Sequence, residues 1–347
     1  MPLGEVALRR GYGVDDPDFL RLAQGTSHLS YDEIVRHPRM AEARKLYVSH
    51  FLALYDRDAF MARLLIETGR FLVYHVAVIL GAAQDPARRE TWLTVGRLKK
   101  AMAIFGAGTD RHIDQIVGRL CEVGFLTSQA AEQDRRVRIL KPTEKMLAHD
   151  RAWLAAHYAP LTVVSRFGDY EPVMREDPAY QLGNRKVAVD FLPFSGKLLA
   201  VAPELLLFFK HAGGHMVSAS LLHAAMATPD THAAVPYAEI GDRFGISRTH
   251  VRTILIEAQD AGLVCLDGRG GHRVQILPAL LTSYDRGLAA GMLSHDMVHA
   301  LATRRCAQGG DQSLPLSGWR LNPTPHLGFA VGVTPRRDKS ARGQEPA

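Results

Sequence analysis

Apolar residues between Ala41 and Ala83 recur at helical spacing: Leu46, Val48, Phe51, Leu52, Leu54, Phe60, Leu64, Leu65, Phe71, Leu72, Val76 and Ile79, with interruptions near Asp56 and Gly69. That period buries one face of a helix, so it predicts two or three helices there. QDPARRE at 84 to 90 reads as a turn. Leu93 and Thr94 then open a helix that carries Val95, Leu98 and Met102 inward, and residues 104 to 108 (IFGAG) supply a turn. Thr109 is placed to cap the next helix, on which Ile113, Ile116, Val117 and Leu120 fall at i, i+3, i+4 and i+7. Burying that stripe leaves Asp110, Arg111, His112, Gln115 and Arg119 facing outward. After Gly124 the period shortens to the alternation of a strand, through Phe125, Leu126 and Thr127, a polar tip, and a return bearing Arg135, Arg136 and Arg138 with Val137 and Ile139 between. The sum is a helix-turn-helix followed by a β-hairpin wing.

The pattern is then written again. FGAGTDRHIDQIVGRLCEVGFLTSQ from Phe105 has a counterpart from Phe244, FGISRTHVRTILIEAQDAGLVCLD, and a single offset of 138 sets Thr109 on Ser247, His112 on His250, Ile116 on Ile254 and Gly124 on Gly262. Upstream, YDEIVRHPRM at Tyr31 parallels YEPVMREDPAY at Tyr170, and Phe51-Leu52 and Phe191-Leu192 follow at nearly equal distances. In the second copy a helical region spans Lys197 to Ala227 with a break at Gly213-Gly214, and ATPDTHAAVP is the turn matching QDPARRE. Ile240, Phe244 and Ile246 point inward, Ser247 caps the second helix, and Arg248, Thr249, His250, Arg252 and Thr253 face outward, with His112 and His250 at equivalent places open between a groove contact and a solvated or core-edge histidine. Its wing is short, Val264 to Leu266, then DGRGG, then His272 to Ile276, with Arg269 and Arg273 able to reach a phosphate or a minor groove. A last helix is expected from Pro278 to Arg305.

These readings predict a mainly α fold with small β wings, in which two tandem winged-helix domains arise from internal duplication of a unit of about 140 residues, an ordinary domain size. The expected divisions are a lead-in over 1–30 that is loosely ordered or forms a short helix near Phe19 to Ala23, a first domain over 31–160, a second over 161–305, and a disordered basic tail over 306–347.

The first module resembles the multiple-antibiotic-resistance regulator (MarR) family of winged-helix repressors over about residues 91 to 147, in LTVGRLKKAM, HIDQIVGRLCEVGFL and above all DRRVRILKPTEKM. The resemblance implies that Arg136 is a wing-tip arginine entering the minor groove and that Asp134 holds the wing arginines in place. Pro142 stands where the family usually has Leu, and Met146 where it often has Gly. Family members are single-module chains that dimerise, so their dimer contacts and ligand pocket do not carry over. The second module, PYAEIGDRFGISRTHVRTILIEAQDAGLV, is similar to the generic helix-turn-helix of the bacterial Crp and GntR regulators.

Composition adds little beyond this. With 347 residues, 47% of them hydrophobic, the chain has material for two cored domains, and its formal charge of +6 suits a polyanion partner without requiring one. The stretch from Phe71 to Ala83 is too short to span a bilayer, the N-terminus lacks a signal-peptide pattern, and three cysteines, Cys121, Cys265 and Cys306, make no complete disulfide set. A cytoplasmic location is expected. Among 16 histidines, the pairs His211/His215 and His295/His299 have the spacing of two ligands on a helix but no glutamate or cysteine pattern around them, and Cys121 and Cys265 read as small core residues. GAGTD at 106 to 110 lacks the lysine of a phosphate loop. No enzyme signature, metal or cofactor is expected.

The expectation is therefore a DNA-binding transcription regulator that uses two fused winged helices as a pseudo-dimer on double-stranded DNA. A further copy of the chain and a small-molecule effector are left open as partners. Two other readings fit the same modules: a replication initiator with tandem winged helices, and a protein-interaction scaffold.

Overall fold

In the computed structural model of the protein, the described residues are 13–56, 59–106, 108–227, 232–234, 237–267 and 273–307. They are mainly helical, with two small antiparallel sheets. The first half runs α1 Pro17–Leu22, α2 Tyr31–Val35, α3 Met40–Asp56, α4 Ala59–Leu65, α5 Thr68–Ala82, α6 Val95–Met102, α7 Asp110–Glu122, β1 Leu126–Ala130, β2 Arg138–Pro142 and α8 Glu144–Tyr158. The second runs α9 Leu161–Val164, α10 Glu171–Met174, α11 Pro178–Ala188, α12 Leu192–Leu199, α13 Leu206–Phe209, α14 Gly214–Ala227, β3 His232–Ala234, α15 Tyr237–Phe244, α16 Arg248–Asp260, β4 Val264–Asp267, β5 Arg273–Ile276 and α17 Pro278–Ala307.

The centre is occupied by the helices that the sequence makes apolar on every side. On α5, Val73 through Leu80 are all buried, His75 included, and on α14 so are Met216 through Leu222. A helix without a polar face has nowhere to go but the interior. Each central helix packs on a helix of the other half, α5 against α11 and α14 against α3. The outer contacts are reciprocal too: α2 packs on α17 and α10 on α8, while α3 packs on α8 and α11 on α17. One contiguous apolar core results, from Val14 to Ala302. The boundary near residue 160 thus divides the sequence into two runs of elements but does not divide the packing.

Where α5 and α14 begin, the chains of the two halves are tied together. The Gly213 amide donates to the Ile66 carbonyl at 2.8 Å, and the Thr68 hydroxyl donates to the Phe209 carbonyl at 2.6 Å. The break expected at Gly213-Gly214 has two causes: Gly213 holds φ at +72°, and a Cβ on Gly214 would lie 2.0 Å from the Phe208 carbonyl oxygen.

The hairpins follow the alternation in the sequence. β1 and β2 pair in register Leu126↔Pro142 through Ala130↔Arg138, and β4 and β5 pair Val264↔Ile276 through Asp267↔Arg273. In the second sheet β3 adds to β5, in the order β3-β5-β4. This corrects the reading of ATPDTHAAVP as a plain turn, since His232 to Ala234 form a strand; three residues are too few to show a period of two. The first module has only the start of such an edge, the Leu140 amide donating to the Leu93 carbonyl at 2.8 Å.

The lead-in is anchored rather than loose over its described part. Asp16 caps α1, Phe19 is fully buried and meets Phe191 edge-on at 5.9 Å, and the Leu29 amide donates to Asp296 at 2.7 Å. The expected tail lies outside the described residues beyond Ala307, where α17 ends. Among the described residues no single helix is long and apolar enough to cross a membrane.

Candidate nucleic-acid interface

Both second helices of the expected motifs form where the N-caps place them. The Thr109 hydroxyl accepts the His112 amide at 3.3 Å at the start of α7, and the Ser247 hydroxyl accepts the His250 amide at 3.1 Å at the start of α16. Glycines make the preceding turns, with φ at +60° for Gly106 and +69° for Gly245. Ile113, Ile116, Val117 and Leu120 are buried on α7, as are Val251, Ile254, Leu255 and Ala258 on α16. The opposite faces are exposed: Arg111, Gln115 and Arg119 on α7, and Arg248, Thr249, Arg252 and Thr253 on α16.

The two histidines take the core-edge position rather than an outward one. His112 and His250, expected to face outward, are half-buried and turn back toward the fold. His250 Nε2 lies 3.0 Å from the Ala212 carbonyl and its ring meets that of His211 at 5.7 Å; His112 packs over Gly69 at the start of α5. Position i+3 from the cap lies at the edge of the stripe, and the loop leading into the central helix is close enough to take the ring.

Several candidate side chains are already engaged. Arg119 pairs with Glu122 at 3.2 Å in the last turn of α7. The Thr253 hydroxyl donates to the Thr249 carbonyl at 3.0 Å. On the first wing, Arg138 crosses the hairpin to donate to the Ser128 hydroxyl at 3.2 Å and the Ser128 carbonyl at 2.5 Å. Arg135, Arg136 and Arg273 are exposed, whereas Arg269 lies outside the described residues. Asp134, expected to hold the wing arginines, accepts the Arg136 main-chain amide at 3.1 Å on one oxygen and the Arg89 guanidinium, from outside the wing, at 3.1 Å on the other.

Arg89 was missed in the sequence because it sits in a segment read as a turn. In the structure it comes to the wing, and a cleft of about 460 Å³ opens between the hairpin and the start of α6, lined by Arg89, Trp92, Thr94, Gly96, Arg136 and Arg138. Three arginines meet at this cleft, two of them already engaged, Arg89 with Asp134 and Arg138 with Ser128.

The electrostatics of the exposed faces of α7 and α16 differ. Asp110 and Asp114 share the α7 surface with Arg111 and Gln115, and Lys99 from α6 partly offsets them, 2.9 Å from Asp114 and 3.9 Å from Asp110. On α16 the first acid is Glu257, occupied by Lys210 at 2.6 Å and His211 at 3.1 Å; the hydrogen bond from Lys210 chiefly holds its carboxyl below the usual range. The second face is thus the more positive along its N-terminal turns.

The remaining expectations sort simply. His211 precedes α14, so it does not share a helix with His215, and the His299 ring meets the Tyr180 hydroxyl at 2.8 Å; among the described residues no group of three or more metal-binding side chains converges. Cys121 is half-buried, with burial raising its thiol, but Cys265 is exposed on β4, which corrects its reading as a core residue. Comparison of the chain with family models, curated proteins and solved structures finds no match.

Proposed function

We propose that this chain is a sequence-specific, double-stranded DNA-binding transcription regulator in which two winged helix-turn-helix modules of one duplicated unit act as a built-in pseudo-dimer. The observation that carries the reading is the repeated arrangement of a capped helix with an exposed arginine-bearing face beside a hairpin that carries further arginines. A helix of that kind fits the major groove, where Arg and Gln pair with guanine and adenine edges, and wing arginines reach phosphate or minor groove.

Reciprocal packing supports the pseudo-dimer. If α2, α3, α5 and α8 correspond to α10, α11, α14 and α17, as chain order and the sequence parallels suggest, then the helix pairs α2–α17 and α10–α8, α5–α11 and α14–α3, and α3–α8 and α11–α17 are mirrors of each other. That is the pattern of an isologous interface, in which patch i meets patch j and j meets i. A fused pair can diverge, and the unlike faces of α7 and α16 suit two unlike half-sites.

The test is selection of bound duplexes from a random double-stranded library by the full chain. An enriched, bipartite, asymmetric motif is the expected result. Recovery of no motif, with binding indifferent to sequence and salt, would overturn the reading in favour of a protein-interaction scaffold; a selected motif whose genomic occurrences cluster as repeats at one locus would point to replication initiation.

A further inference from the structure

The exposed faces of α7 and α16 carry opposite charge at equivalent places. The offset of 138 residues that aligns the two modules sets Asp110 on Arg248, Arg111 on Thr249, Asp114 on Arg252 and Gln115 on Thr253, and all of these residues are exposed. Residues four apart on a helix stand one above the other, so each face has two ridges. The first ridge bears Asp110 and Asp114 on α7 but Arg248 and Arg252 on α16, a reversal of sign at both positions. The second bears Arg111 and Gln115 on α7 and two threonines on α16, where the Thr253 hydroxyl spends its proton on the Thr249 carbonyl at 3.0 Å.

Helix stability accounts for one of these arrangements and not for the other. Asp110 is the acid of the first turn of α7, where the helix dipole favours it. Lys99 reaches across from α6 to meet Asp114 at 2.9 Å and stands 3.9 Å from Asp110, yet the two carboxylate side chains remain 53% and 82% exposed. The first turn of α16 has no acid. Arg248 is the first residue of that helix, against the dipole, with a second arginine one turn on. A local preference set aside at an exposed helix start points to a functional role.

The chemistry of the major groove gives each first ridge a different partner. An ionised aspartate only accepts hydrogen bonds and an arginine only donates them. The donors in that groove are the amino groups of cytosine and adenine, whereas guanine presents two acceptors that one arginine takes together. The aspartate ridge is therefore repelled by the guanine edges that the arginine ridge needs. Resting on the DNA-binding reading, we propose that these two ridges fix the direction in which the fused pair lies on its site: α16 takes the half-site with guanines at its ridge, and α7 the half-site that offers amino groups there. A homodimer meets a palindrome identically in both directions, but a fused pair has two distinct ones. The wrong direction sets the acids against acceptors and takes the arginines off guanine. Each mismatched base pair lowers affinity roughly 5- to 150-fold, so one direction dominates.

Cys265, exposed on β4 of the second module, lets the direction be read. In the full chain with Cys121→Ser and Cys306→Ser, an iron chelate on Cys265 cleaves the DNA nearest that module on a duplex carrying the selected site. Cleavage beside the guanine-bearing half-site is expected to exceed that beside the other by about tenfold or more. Reversing the ridges, with Asp110→Arg, Asp114→Arg, Arg248→Asp and Arg252→Asp, should move the cleavage to the opposite half-site while the helical circular dichroism stays unchanged. Equal cleavage at both half-sites, cleavage beside the half-site without guanines, or a pattern that stays in place when the ridges are reversed would overturn the proposal and leave the DNA-binding reading standing. If the fourfold variant does not fold, Asp110→Arg and Arg252→Asp decide singly: each should lower the cleavage ratio by about fivefold or more, and unchanged ratios would overturn it. If the chain retains no duplex at all, the DNA-binding reading fails and the direction with it.

Discussion

Arg185 on α11 holds Asp150 on α8 through both Nε and Nη2, with the two side chains 4% and 0% exposed, so a buried ion pair bolts one half of the protein to the other. Asp150 also accepts from Gln181 Nε2 at 2.8 Å and meets His75 Nδ1 at 3.3 Å. Burial alone would raise its carboxyl, but the Arg185 charge and the hydrogen bonds of His75 and Arg185 outweigh that and hold it well below the usual range. Arg185→Met removes the counter-charge and should cost about 3–5 kcal/mol in urea unfolding. Asp150→Leu with Arg185→Met should recover part of that loss. A double variant no more stable than the single one would show that the stranded carboxylate is not the cause.

Because the halves share a core, they are expected not to fold apart. Fragments 1–160 and 161–347 each expose a central helix, α5 or α14, that the other half covers. Each alone should lack a cooperative thermal transition, and mixing or coexpression should restore one. Cooperative unfolding of either isolated fragment, followed by circular dichroism, would contradict this.

Acid should loosen the centre of the molecule. His215, lowered by burial from 6.5 to about 4, stays neutral in the native state where the unfolded chain is already protonated. Between those values the unfolded state binds more protons, so stability is intact above about pH 6.5 and falls as the pH drops toward 4. For His215 alone the loss approaches ~3 kcal/mol. Denaturation midpoints measured from pH 7 to 4 should fall steeply in the wild type and less steeply in His215→Leu.

Contacts to DNA should separate into two kinds. Arg136→Ala with Arg273→Ala should weaken binding to cognate and random duplexes alike and flatten the salt dependence, as phosphate or minor-groove contacts do; Arg89→Ala should act the same way through the cleft beside the first wing. Arg248→Ala or Arg252→Ala should cost about 1–3 kcal/mol on the selected site and much less on random DNA. His250→Ala, whose ring lies against the Ala212 carbonyl, should lower stability by about 1 kcal/mol and leave sequence preference intact. Fluorescence anisotropy over a salt series, beside urea melts, distinguishes these outcomes.

A pseudo-dimer should read half-sites about one helical turn apart, roughly 10 base pairs centre to centre. Inserting about five base pairs turns one half-site to the far side of the duplex and should abolish the joint affinity. If footprints of the intact chain are indifferent to spacer length, only one module binds.

Local features of this chain were legible in its sequence because they depend on near neighbours. The stripe of Ile113, Ile116, Val117 and Leu120 determines which face of α7 is buried, Thr109 and Ser247 determine where α7 and α16 begin, and Gly106, Gly213 and Gly245 mark turns that need left-handed backbone or the absence of a side chain. The alternation after Gly124 and Gly262 was enough to predict both hairpins. What depends on distant partners was not readable: that α5 is covered by α11 and α14 by α3, that Arg89 comes to the wing, that His112 and His250 turn inward, and that three residues at His232 complete a sheet. A cavity of about 360 Å³ between the two halves belongs to the same class. Phe71, His75, Phe209 and His215 show only an apolar helical period in sequence, and whether such residues fill a core or line a space is decided by how helices more than a hundred residues apart meet, which no local pattern encodes.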